Sequence, residues 1–167
     1  MIGWQTSAFS AMLAGLAVAL ALDAAGAQAP SAATVVSCEG VLTAEEATTI
    51  VGESFGAPAV DQPRPGFTRC EWQGPDSNFG FTFASLQALK DEESTPERSF
   101  ESEVSAVEND DRKRESIDDV GVAAALVDLG DDALLIAVQR PDGVARMVLY
   151  KVSRDKALAL ARAIAAP

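Results

Sequence analysis

The chain has 167 residues, of which 13 are Lys or Arg, 25 are Asp or Glu and none is His, for a formal net charge of −12. This acidic balance repels phosphate backbones and anionic lipid headgroups, so nucleic acid and membrane surfaces are not expected partners. The lack of histidine removes His-based catalytic triads and the usual His-containing zinc sites.

Residues 8–22 (AFSAMLAGLAVALAL) form an unbroken apolar run that stops at Asp23. A run of this length is short for a membrane span, which needs about 20 residues, and suits the h-region of a signal peptide. Ala25 and Ala27 take the −3 and −1 positions of an Ala-x-Ala site, which predicts a signal peptide at 1–27 with Gln28 first in the mature chain. Cleavage after Ala29 also meets the small-residue rule but places Pro30 just past the cut. The n-region MIGWQTS carries no Lys or Arg, and two alternatives stay open: a retained anchor, or a lipid anchor at Cys38 after Val35-Val36-Ser37. Removing 1–27 takes away one charge, Asp23, so −12 becomes −11. The expected product is periplasmic or extracellular, with no integral membrane span in the mature chain.

A lead at 28–37 precedes a single domain at 38–167. Both cysteines, Cys38 and Cys70, fall in that domain, and an oxidising compartment predicts a Cys38–Cys70 disulfide. Thr43-Ala44-Glu45-Glu46 is a capping box that opens a short helix with Ala44, Ala47, Ile50 and Val51 on one face and Gly52 at its end. Residues 53–66, with Pro58, Pro63 and Pro65, read as an irregular loop. Alternation then predicts strands over Phe67 to Gln73 and Asn78 to Leu86, joined by the turn Gly74-Pro75-Asp76-Ser77.

Thr95-Pro96 starts a second helix, with Phe100, Val104 and Val107 at helical spacing up to about Asn109. Residues 110–115 read as a solvated connector of mixed sign, and the small apolar residues of 117–127 are read as a strand. Leu134 to Gln139 and Val144 to Val152 flank Arg140-Pro141-Asp142-Gly143, a hairpin signal. Ser153 stands as N-cap of a last helix with Ala157, Leu160, Ala161 and Ile164 in a stripe. The predicted fold is therefore α+β: an antiparallel sheet of about five strands with helices packed on one face, in the order α-β-β-α-β-β-β-α.

Few residues suggest chemistry. Ser153 and Lys156 have the Ser-x-x-Lys spacing of β-lactamases, without the Ser-x-Asn and Lys-Thr-Gly elements those enzymes need. Asp128, Asp131 and Asp132, and Asp110 with Asp111, offer carboxylates but not the EF-hand register. Phe79, Phe81, Phe83 and Trp72 share a face that is read as core in preference to an apolar pocket. No catalytic, cofactor-binding or metal-binding residues are assigned, and no cofactor is expected.

The run Cys38-Glu39-Gly40-Val41-Leu42-Thr43, followed by Cys70-Glu71-Trp72, resembles small exported bacterial domains of unknown function, common as actinobacterial lipoproteins. Leu129-Gly130-Asp131-Asp132-Ala133 and the Ala-rich closing helix are similar as well. The resemblance implies an α+β domain outside the cytoplasm with a Cys38–Cys70 bridge and no assigned reaction. The functional expectation is a non-enzymatic binding or interaction module for a protein or small-molecule ligand. The alternatives are a small secreted hydrolase using carboxylates and an inhibitor of a secreted enzyme.

Overall fold

A computed structural model describes residues 36–165, so the expected signal peptide at 1–27 and most of the lead lie outside the described residues. Helices α1 (Cys38–Val41) and α2 (Ala44–Val51) come first, then strands β1 (Ala59–Asp61), β2 (Phe67–Gln73) and β3 (Asn78–Ser85). Helices α3 (Leu86–Asp91) and α4 (Pro96–Ser105) follow, then β4 (Arg114–Ser116), β5 (Ala123–Gly130), β6 (Ala133–Arg140), β7 (Gly143–Tyr150) and helix α5 (Arg154–Ala165). The strands make one antiparallel sheet in the order β1-β2-β3-β7-β6-β5-β4, with the last strand in sequence at its centre.

The α+β class and the antiparallel sheet hold, while three finer expectations are corrected. The sheet has seven strands in place of about five, because three-residue edge strands form within the Pro-rich loop and the charged connector. The helix order also differs. Ser85 ends β3 and at once caps α3 by accepting the Ala88 N–H, so Leu86 belongs to a helix that strand alternation concealed. Ser37 likewise caps the single turn of α1.

The third correction is that helices cover both faces. On one face Cys70, Trp72, Phe79, Phe81, Phe83, Met147 and Leu149 meet Leu42, Ala47 and Val51 around α2 and the Leu160, Ala161 and Ile164 stripe of α5. On the other, Leu89 of α3 and Phe100 and Val104 of α4 pack on Ala125, Val127, Leu135, Ala137 and Val144. The reason lies in β6, whose Ala133–Val138 run is apolar at nearly every position and therefore needs a partner on each side.

The capping box forms as the sequence predicts: the Thr43 hydroxyl accepts the Glu46 N–H, and the Glu46 carboxylate accepts the Thr43 N–H at 2.8 Å. Gly52 closes α2 in the left-handed region at φ 81°. Cys38 and Cys70 are joined, with Cα atoms 5.7 Å apart, and the bridge ties α1 to β2.

The β6–β7 turn is locked to the C-terminal helix by Arg140. Its buried guanidinium donates to both Asp142 carboxylate oxygens, at 2.8 and 3.0 Å, and to the Ile164 carbonyl at 2.6 Å. The turn and the last helical turn are thus one unit. Arg140→Leu removes three charge-assisted hydrogen bonds while Asp142 keeps access to water. The expected loss is about 1.5–3 kcal/mol in urea unfolding, and an unchanged midpoint contradicts this role.

Candidate functional site

The helices leave one part of the sheet uncovered. α3 and α4 lie over β6, β7 and the end of β3, so the same face of β1, β2 and most of β3 meets solvent. Alternation decides which residues point there. Asp61, Arg69, Thr82 and Arg146 form one row across β1, β2, β3 and β7. Ala59, Glu71, Gly80 and Val148 form the next, and Gln73, Asn78 and Tyr150 the third.

Gly80 leaves the floor bare, since a Cβ built there comes no nearer than 3.8 Å to another atom. Arg69, Glu71, Gly80, Thr82, Arg146 and Tyr150 line an open depression of about 320 Å³ above it. Arg69 donates to Glu71 at 3.2 Å. Arg146 Nε lies 3.5 Å from Glu103 Oε2, inside ion-pair range, yet this buried nitrogen has no hydrogen-bond partner among the described residues. Arg69 and Arg146, on strands two spacings or about 10 Å apart, therefore stand among three carboxylates, of Asp61, Glu71 and Glu103. A face of such mixed sign selects neither a plain anion nor a plain cation. It offers donors and acceptors side by side to a partner that carries both.

The sequence candidates lie elsewhere. Trp72, Phe79, Phe81 and Phe83 are all in the core, with Trp72 stacked on Phe79 at 5.1 Å between ring centroids. The apolar-pocket reading of these rings has no opening to solvent. Asp128 turns its carboxylate on the Gly130 N–H at 2.8 Å, and Asp131 and Asp132 form the β5–β6 turn with left-handed backbones at φ 52° and 59°. Among the described residues no group of three carboxylate or thiol side chains is arranged to hold a metal.

Ser153 stands before α5 and its carbonyl accepts the Ala157 N–H at 2.9 Å. Its hydroxyl makes no capping hydrogen bond among the described residues, so the cap acts through the backbone. Lys156 places its ammonium beside Gly52 at the C-terminus of α2, where the helix dipole favours a cation.

The connector at 110–115 carries an ion cluster that its sequence did not reveal. Arg114 reaches Glu101 of α4 and Glu108, each at 2.7 Å, and so ties β4 to the helix. The hydrogen bonds that Arg114 donates hold the Glu108 carboxyl below its usual value, and donating to Glu108 and Glu101 pushes the guanidinium up. Glu108 thus stabilises the folded chain fully above its unfolded value of about 4.3, and this contribution fades as pH falls through the lowered folded value. Glu108→Gln should lose less stability than the parent on going from pH 7 into that acid range, by urea midpoints. Equal losses contradict the assignment.

No helix of the described residues is long and apolar enough to cross a membrane. Set against family models, curated proteins and solved structures, the chain matches none. The site therefore stands on its own geometry.

Proposed function

We propose that the chain is an exported binding module that recognises a protein partner through the uncovered face of β1, β2 and β3. The carrying observation is that face: a broad, open surface of mixed charge on an otherwise helix-covered sheet. Small ligands favour deep, mostly apolar pockets, whereas a shallow surface of Arg, Tyr and paired polar groups fits a protein interface. Export is supported by the apolar run at 8–22, the Ala-x-Ala site and a bridge between the two cysteines, which persists in an oxidising compartment. The resemblance to small exported actinobacterial domains points the same way. The Cys38–Thr43 stretch that carries it corresponds to α1 and the N-cap of α2, and Cys70-Glu71-Trp72 lies in β2.

The test immobilises the mature chain and compares retention of envelope proteins by the parent and two variants. Thr82→Glu with Arg146→Glu makes the face strongly acidic and should abolish retention of a specific partner. Asp155→Lys, on α5 away from that face, should not. Equal retention by all three removes the face from the reading.

A further inference from the structure

We infer that residues 36–42 form a flap held on the sheet by the Cys38–Cys70 bridge and released by reduction. The bridge is sealed, since Cys38 is 2% and Cys70 0% exposed. An attacking thiolate therefore reaches a sulfur only as the short α1 turn frays around the intact bridge, and reduction then makes the opening lasting. α1 is a single four-residue turn, far below the length at which a helix persists by itself, so it depends on what holds it to β2. Besides the bridge, only Leu42 of this stretch is fully buried, while Val36 and Val41 are half-buried.

The next element does not need the flap. The Thr43–Glu46 capping box completes the N-terminus of α2, and Leu42 just before it has an extended backbone, φ −159° and ψ 118°. The hinge thus lies between Leu42 and Thr43. A dithiol reductant attacks one cysteine sulfur, forming a mixed disulfide and freeing the other cysteine as a thiolate. Its second thiol then displaces the mixed disulfide. The reductant leaves as its own disulfide, and Cys38 and Cys70 each gain one electron and one proton. The released flap uncovers the Cys70 thiol and the apolar layer beside Trp72, its neighbour on the same strand face.

Hydrogen exchange on the exported protein, with and without dithiothreitol, tests this. Peptides spanning 36–42 should exchange at least about tenfold faster after reduction, while β3, β6 and β7 keep their protection. Cys38→Ser with Cys70→Ser, without reductant, should reproduce that pattern. Unchanged protection of 36–42 in the reduced protein overturns the flap. Loss of protection in the central strands at the same step overturns it as well, since the bridge would then hold the whole domain and not one segment.

Discussion

Replacing both cysteines with alanine lowers the stability of the domain by about 2–5 kcal/mol, a large part of the 5–15 kcal/mol typical of a whole domain. The bridge joins residues 32 apart in sequence, and closing a loop of that size removes unfolded-state entropy worth about 3–4 kcal/mol in the chain-entropy model. About half of that loop is the Pro-rich stretch between α2 and β2, where only three residues pair with the sheet. Release of the flap in the native state lets the reduced protein recover some entropy while folded, which places the loss toward the lower end. Urea unfolding of the oxidised parent and the double variant measures it. Thiol alkylation of protein from its native compartment, before and after reduction, supplies the covalent check. Two cysteines that alkylate without reductant contradict the account, as does an unchanged unfolding midpoint.

A second large effect comes from one glycine, and a neighbouring glycine is its control. Gly143 opens β7 opposite Ser85 of β3, and a Cβ there falls well inside van der Waals contact with the Ala84 carbonyl oxygen and 2.8 Å from the Phe83 ring. Backbone and a core aromatic cannot both yield, so Gly143→Ala forces the turn away from β3. It should cost about 2–4 kcal/mol. Gly80, on the uncovered face of β3, has open space above it. Gly80→Ala should therefore change stability by less than about 1 kcal/mol. A similar loss in both variants would mean that β3 and β7 do not pair in this register.

Wherever local chemistry decides the structure, the sequence sufficed. The Thr43–Glu46 box, the alternation of β2 and β3, the Pro141-Asp142-Gly143 turn and the α5 stripe all appear where the residues placed them. The missing elements are those with no period to read. α1 is one turn, β1 and β4 are three residues each with no alternation of burial, and α3 begins on the residue after a strand. The second helical layer left a trace in the apolar run Ala133–Val138, which half-burial does not explain.

The candidate site was only half readable. Alternation shows that Arg69, Glu71, Asn78 and Thr82 point away from the aromatic core. That no helix among the described residues covers them depends on where α3 and α4 pack, which follows from the apolar residues of β5, β6 and β7 and not from the face itself. Arg146 joins the row only because the last strand pairs with β3, a long-range choice that no local motif announces.

Site-specific photocrosslinking in living cells tests the central claim most directly. A photoreactive residue at position 82, in the middle of the uncovered face, should yield a discrete adduct with a partner protein. The same residue at Asp155 on α5 should yield none. Adducts from both positions alike, or from position 155 alone, contradict recognition through the β1–β3 face, as does the absence of any adduct from position 82.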